Sequence, residues 1–337
     1  MKVRMADIAQ AAGVSVATVS NVLNGTNRVG EATRLKVLEI ARKMGYQNPE
    51  YEGMKKSILL AIPIKHGRII FDSSPFFSEV ITGIESACRK NLYELTISYV
   101  DPLDTKLVNA MIVDAKRPLL LLATELEKED IRPFLKRQGP MVVLDSYYFE
   151  YNFQCVSINN MKAGFIAAEH LISHGHTEFG FVASSIFHNN MWERQVGFEL
   201  ALANHGYKLE KKNIFSVNPE SERALVEFNE LLDRRTDPIP TGLFAYNDIV
   251  GLATHNALKR HGYKIPQDVS MVSMDDIPTI TLVNPPLTSI HVPKYSYGYL
   301  AAEKLIALVS HQNMRSTHIQ IEPYLVSRES VRDLKQG

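Results

Sequence analysis

The chain is short of several things, and each shortage removes a class of protein. Among 337 residues there are only two cysteines, Cys88 and Cys155. A disulfide framework is therefore excluded, and with no His or Cys beside either at metal spacing both read as small buried apolar groups of a reducing compartment. No apolar run approaches the roughly 18 residues that span a bilayer. The start, MKVRMADIAQ, lacks the apolar stretch of a secretory signal, so the expected location is the cytoplasm. There is no G-x-G-x-x-G, no G-x-x-x-x-G-K-[ST], and no recognisable Ser-His-Asp or metal-ligand cluster. Catalysis, a bound cofactor and a metal are thus not expected. His170, His174, His176 and His255 lie on or beside helical stretches without ligand spacing, and read as surface or satisfied histidines. No internal repeat or low-complexity tract stands out.

Net charge is missing as well, with 37 basic against 37 acidic residues. That neutrality conceals an uneven distribution. Residues 1–57 hold nine Lys or Arg against five acids, net +4, which leaves −4 for the other 280 residues. A basic head is the electrostatic footprint of a nucleic-acid binder, because neutralised phosphates supply the sequence-independent part of the affinity.

The head also carries a pattern. Met5, Ile8 and Ala12 fall at i, i+3 and i+7, which predicts a short helix over 5–12. Gly13-Val14-Ser15 then supplies a breaker, an apolar plug and an N-cap, so a second helix starts at Val16. Along 16–24, Val19, Val22 and Leu23 form an inward stripe, while Ala17, Ser20, Asn21 and Asn24 share the opposite, small and polar face. A third helix over 31–44 buries Val37, Leu38, Ala41 and Met44. Two short helices joined by a tight turn with Gly have the spacing of a helix-turn-helix, whose second helix enters the major groove. An ordinary helical hairpin has the same periodicity, and the charge favours DNA.

VRMADIAQAAGVSVATVSNVLNG resembles the head of the lac repressor/galactose repressor family of bacterial transcription regulators. The resemblance continues nearly end to end, through INNMKAGFIAAEHLISHGHTEFGFV, ERQVGFELAL, GLFAYNDIVGLATHNALKRHGYKIPQDVSMVSMDD, NPPLTSIHV and PYLVSRES. It implies a DNA-binding regulator, most often a repressor, working as a homodimer on a pseudo-palindromic operator under control of a small polar effector. By matching positions, Val16, Ala17 and Asn21 are expected to read bases, with Thr18 and Ser20 on or near phosphates; Ser15 and Asn24 complete the expected DNA-binding set. Many relatives have Arg where Asn21 stands, and Asn pairs bidentately with adenine.

Beyond Gly53 short apolar runs at 57–64, 119–123, 141–144, 179–183, 241–245 and 269–274 alternate with helical stretches. These include 77–91, 162–174, 194–205, 224–233, 248–261 and 297–311. Buried strands with helices between them mean doubly wound parallel α/β sheets. The expected organisation is a helix-turn-helix head at 1–48, a short linker at 49–57, and a core at 58–330. The resemblance makes that core a periplasmic-binding-protein-like pair of subdomains, about 58–155 with 286–317 and 156–285 with 318–330. The linker lacks the Ala-Arg-Ser-Leu hinge of relatives that kink their operator, and carries Gly53, which predicts no leucine wedge.

Ligands of open α/β sheets sit beyond the C-terminal ends of the strands. Polar residues after apolar runs, matched to family positions, give an expected effector set of Asp72, Phe76, Asn159, Arg194, Asn247 and Asp275. Two carboxylates, two amides and a guanidinium suit a hydroxyl- or amide-rich molecule, a sugar or sugar derivative first and a purine second. Competing readings are that Phe76 and Phe77 are core, that Arg194 pairs at the surface with Glu193 or Glu199, and that Asp248 and Asp276 are helix caps.

Overall fold

The computed structural model describes residues 3–23, 29–44, 46, 56–67, 74–310 and 315–335. Two compact units are present, Met1–Lys56 and Ser57–Gly337.

In the first unit α1 (Met5–Ala12), α2 (Val16–Leu23) and α3 (Glu31–Lys43) close on a miniature core of Ile8, Ala9, Ala12, Val19, Val22, Leu23, Val37 and Ala41. Gly13 ends α1 at φ +68°, a left-handed conformation that costs glycine least. Ser15 then caps α2, its Oγ accepting the Thr18 N–H at 3.0 Å.

The second unit holds two six-stranded sheets. Its elements run β1 (Ser57–Pro63), α4 (Ser74–Lys90), β2 (Glu94–Val100), α5 (Thr105–Val113), β3 (Leu119–Leu122), α6 (Lys128–Ile131), β4 (Met141–Leu144), β5 (Cys155–Ile158), α7 (Asn160–Ser173), β6 (Phe179–Ser184) and α8 (Asn189–Asn204). They continue as β7 (Ile214–Val217), α9 (Ser221–Arg234), β8 (Gly242–Ala245), α10 (Asp248–Arg260), β9 (Ser270–Asp275), β10 (Thr288–His291), α11 (Lys294–Ser310), β11 (His318–Ile321) and β12 (Tyr324–Val326). One sheet has the order β11-β5-β4-β3-β1-β2, the other β12-β10-β9-β8-β6-β7. All pairs are parallel except β10 with β12. Runs such as LLLL and GLFA are buried at every position, as parallel strands covered on both faces must be.

The chain passes between subdomains three times, each a few residues later than expected. The crossings fall between Ile158 and Asn160, between His291 and Lys294, and between Ile321 and Tyr324, against expected boundaries after 155, 285 and 317. Strand pairing sets these points: β5 and β11 join the first sheet, β10 the second. Apolar runs alone do not reveal partners. Strands β2, β7, β10, β11 and β12, and helices α5 and α6, lie outside the elements expected from the sequence.

An internal repeat, not expected from the sequence, emerges here. Residues 160–172 and 294–306, NMKAGFIAAEHLI and KYSYGYLAAEKLI, are identical at six of thirteen positions, among them Gly164/Gly298 and Glu169/Glu303. Each begins a helix that has just crossed to the other subdomain, α7 against α8 and α11 against α4. Both pairs meet through glycine. A Cβ on Gly164 would stand 1.8 Å from the Arg194 carbonyl oxygen, and one on Gly298 1.9 Å from that of Val80. In return, a Cβ on Gly197 would lie 1.8 Å from the Met161 oxygen, and one on Gly83 2.0 Å from that of Tyr295. The two halves therefore share one architecture, in which Val80 and Arg194 occupy equivalent places.

Candidate functional site

The face of α2 turned away from the head's core is small. Val16 is 50% exposed, Ala17 is exposed, and Ser20 and Asn21 are half-buried at its side. The Thr18 hydroxyl lies 2.8 Å from Ser15 Oγ at the start of the helix. Val19, Val22 and Leu23 are buried as their spacing requires. Asn24 and residues 49–55 of the linker lie outside the described residues, and with them the expectation of no leucine wedge.

In the larger unit the C-terminal ends of both sheets face a shared cavity of about 50 Å³. It is lined by Phe76 and Phe77 from α4, Thr124 after β3 and Asp145 after β4. The other subdomain supplies His188, Asn190, Met191, Arg194, Tyr246, Asn247 and Asp275. Four of the residues named from the sequence, Phe76, Arg194, Asn247 and Asp275, thus come together; Asp72 falls outside the described residues.

Asn159 does not join them. It caps α7, its Oδ1 accepting the Lys162 N–H at 3.1 Å while its Nδ2 donates to Glu322 at 3.0 Å. An Asn at the start of a helix serves as a cap for the same reason it follows a strand, and position alone does not separate the two roles. Its neighbour Asn160 is fully buried and turns inward.

Arg194 is buried, not a surface ion-pair partner, and Glu199 accepts instead from Gln195. Its helix starts five residues before it, at Asn189. Its Nε donates to Asn160 Oδ1 at 2.9 Å and its Nη1 to the Tyr246 carbonyl at 2.7 Å, while Nη2 stands 4.0 Å from Asp275 Oδ1. Across the cleft, Asp145 accepts from Thr124 Oγ1 at 2.7 Å and from Asn190 Nδ2 at 2.9 Å, so it ties the two subdomains together. Asp145 and Asp275 both adopt positive φ, +77° and +109°. Strain of this kind in non-glycine residues, of order 1–3 kcal/mol each, gathers at functional sites.

Burial raises the carboxyl pKa of Asp145, opposed by Thr124, Arg194 and Asn190, and likewise that of Asp275, opposed by Arg194 and Lys294. Burial also lowers His188 to about 4, with His66 and Arg194 adding to the effect, so it lines the cavity as a neutral imidazole. Asn247 spends its Oδ1 capping α10 through the Val250 N–H at 2.9 Å. Asp248 is no cap: fully buried, it accepts from Ser273, Ser289 and the Ile277 N–H, binding the ends of β9 and β10 together. Burial pushes the Asp276 carboxyl up, but Arg328 and His291 outweigh it and hold it below the usual range.

The sequence reading missed Thr124, Asp145, His188, Asn190, Met191 and Tyr246. Asp145 and Thr124 follow apolar runs, so the rule that found Asp275 reaches them too. His188 and Asn190 sit beyond a loop after β6 and carry no such mark. Of the four histidines read as surface or satisfied, His170, His176 and His255 are buried. Burial drives His170 and His176 down to about 4. Cys88 and Cys155 are free and buried, their thiols raised to about 11 and about 12 mainly by that burial. Among the described residues no group of three or more His, Cys, Asp or Glu fits a metal ion, and no helix is long and apolar enough to cross a membrane.

A helix-turn-helix head on a two-subdomain α/β core with a polar cleft defines a ligand-responsive DNA-binding regulator. Comparison with known proteins agrees. Residues 4–48 match the bacterial regulatory proteins, lacI family, and residues 168–331 match a periplasmic binding protein-like domain. The ribose operon repressor of Haemophilus influenzae is 30% identical over 336 residues, covering 98% of this chain and 99% of that protein. The transcriptional repressor PurR of Photobacterium profundum is 30% identical, covering 97% and 98%. A solved complex of the transcriptional regulator CelR with cellobiose superposes with a TM-score of 0.74 at 24% identity, covering 98% of this chain and all of that one. The chain belongs to the lacI family of bacterial regulatory proteins. It is a transcription regulator with a DNA-binding head and an effector-binding core, not an enzyme.

Proposed function

We propose that the protein is a repressor that binds a pseudo-palindromic operator as a homodimer and answers to a neutral polyhydroxy effector, a sugar or sugar derivative, held in the cleft. One head offers too few contacts for specific binding, so two half-sites are read by two copies. Val16, Ala17 and Asn21 meet base edges; Ser15, Thr18 and Ser20, with Asn24, lie at the backbone.

The observation that carries the effector reading is the division of the cavity wall. Phe76 and Phe77 form an apolar side, while Asn190, Arg194, Asn247 and Asp275 form a polar one. A sugar ring has the same two aspects, an apolar face of C–H groups and an edge of hydroxyls that donate to carboxylates and accept from a guanidinium. Asp145 and Asp275, lining the cavity from the two subdomains, disfavour an anionic ligand. A purine base is the second reading, favoured by the aromatic pair Phe76–Phe77, whose rings meet edge to face at 5.1 Å. A cavity of about 50 Å³ holds water and not a sugar, so entry requires the subdomains to part. Effector then biases the open and closed arrangements by its difference in affinity for them.

Thermal melting against D-ribose, cellobiose and adenine, followed by gel shift on operators selected from random duplexes, tests this. A ligand at 100 times its Kd raises stability by about 2.7 kcal/mol. A sugar that both stabilises the chain and changes operator affinity is the expected result; selection of no palindrome at low salt would overturn it.

A further inference from the structure

The internal repeat has one position where its two copies diverge in a way the cleft uses. The first residue of α7 is Asn160 and the first residue of α11, at the equivalent place, is Lys294. Both are almost wholly buried, 0% and 1% exposed, and neither lines the cavity. A lysine is poorly suited to this place, since burial and the positive end of a helix both oppose its charge. Its acceptors explain it. Lys294 Nζ donates to the carbonyl of Asp275 at 2.7 Å and of Asp276 at 3.2 Å, with Glu79 at 3.9 Å and the Phe76 ring centroid at 6.0 Å. These two carbonyls belong to the residues at φ +109° and +54°. Asn160 acts on the facing group. Its Nδ2 donates to Glu193 Oε2 at 3.1 Å and to the Ile158 carbonyl at 3.3 Å, which turns its Oδ1 to Arg194 Nε at 2.9 Å.

We propose that Asn160 and Lys294 are paired positioning residues that hold the Arg194 guanidinium and the Asp275 carboxylate apart on the polar wall of the cavity, so that both present unspent hydrogen-bonding capacity to the effector. The gap of 4.0 Å is the sign of this. Left to themselves, a buried guanidinium and carboxylate close to about 2.7–2.9 Å and satisfy one another, which removes both from ligand recognition. Asn160 draws Arg194 from behind, aided by the Tyr246 carbonyl at 2.7 Å. Lys294 fixes the peptide that aims Asp275. Lys294 thus reaches back to the peptide at the end of the sheet its chain has just left, and Asn160 holds a side chain of the helix it has come to pack against, so the first residue of each exchanged helix acts on one member of the pair.

The proposal rests on the effector reading only in taking Arg194 and Asp275 as contacts, and both its tests run without effector. In Asn160→Leu, full-length protein, the carboxyl titration of Asp275 is followed by 13C NMR and assigned with Asp275→Asn. The guanidinium closes on Asp275 and the midpoint falls by about one unit or more, whereas Asn160→Asp, which keeps an acceptor for Nε, does not lower it. Should Asn160→Leu not fold, Asn160→Ser removes the same acceptor reach with less bulk and is read in the same way. An unchanged or raised midpoint in a chain that still melts cooperatively overturns the role of Asn160. For Lys294→Met a crystal structure is read: Asp275 is expected to leave its positive-φ conformation and close on Arg194. Retention of both the φ and the 4.0 Å gap would show that Lys294 merely fills space. Effector titrations on the wild-type chain judge the effector reading separately.

Discussion

The two subdomains share a scaffold and differ in chemistry. Their sheets have the same order, Leu144 pairing with Val156 in one as Met274 pairs with Ile290 in the other, which sets Asp145 opposite Asp275 as equivalents. The glycine contacts make Val80 the counterpart of Arg194, and by the same offset Phe76 that of Asn190 and Phe77 that of Met191. One helix therefore offers the cavity an aromatic wall, the other an amide, a thioether and a guanidinium. Backbone packing tolerates no added atom where two helices touch at glycine, whereas a side chain at the cleft can change if its few polar partners change with it. Architecture is thereby kept while specificity diverges.

The strongest way to break this comparison is at the glycines. Gly164→Ala and Gly298→Ala each drive a methyl group into a carbonyl oxygen of the facing helix, and each is expected to lose about 3 kcal/mol or more in urea melts. A mild effect at one and a severe effect at the other would refute the equivalence. Next comes the pair Val80 and Arg194. Arg194→Met is expected to weaken effector binding about 100-fold, near 3 kcal/mol, by isothermal titration. Val80→Ala instead lowers stability by about 2 kcal/mol and leaves effector affinity in place. Equal losses of affinity would mean that the apolar half also recognises the ligand by position.

Acid sharpens the contrast, because the histidines lowered to about 4 lie in the second subdomain, while in the first His318 is also lowered by burial. His170, His176 and His188 have folded pKa values near 4, below the ordinary 6.5. The unfolded chain binds their protons more readily, so the stability they contribute is complete above pH 6.5 and is lost as pH falls toward 4. Asp145, Asp248 and Asp275 run the other way: with pKa raised by burial, they favour the folded state below their ordinary pKa and lose that contribution as pH rises through the raised values. This window overlaps that of the histidines above pH 4, so the two sets oppose one another there, and the histidine part is read by difference between the wild-type chain and a variant in urea melts. In His188→Phe the decline on the acid side becomes shallower, and an unaltered slope counts against a buried neutral imidazole there. The smallest expected effect is in the head. Asn21→Ala is expected to relax preference at one base position by about 1–3 kcal/mol in competition gel shifts, with little change elsewhere.

Much of the scaffold was legible in the sequence. The limits of α1, α2 and α10 were read almost to the residue, because a cap such as Ser15, a breaker such as Gly13 and the periodicity of an apolar face act through neighbours along the chain. Arg194 and Asp275 were legible through the resemblance and Asp275 also through the apolar run before it. Asn159 was misplaced because a cap and a ligand contact look alike at a strand's end. The repeat went unseen because its six identities are scattered, and become meaningful only when both helices are found to press a glycine on a facing carbonyl.

By itself the sequence determined what local physics governs: which segments coil, where they stop, which face of each is apolar, and that a basic head precedes a neutral-to-acidic core. Tertiary structure alone decided which strand pairs with which, where the chain changes subdomain, and which distant side chains share the cavity. Asp145 and Asn190 are separated by 45 residues and Lys294 by 19 from the carbonyl it holds. Those contacts depend on the closing of two sheets on one another, and no periodicity along a chain encodes a partner that far away.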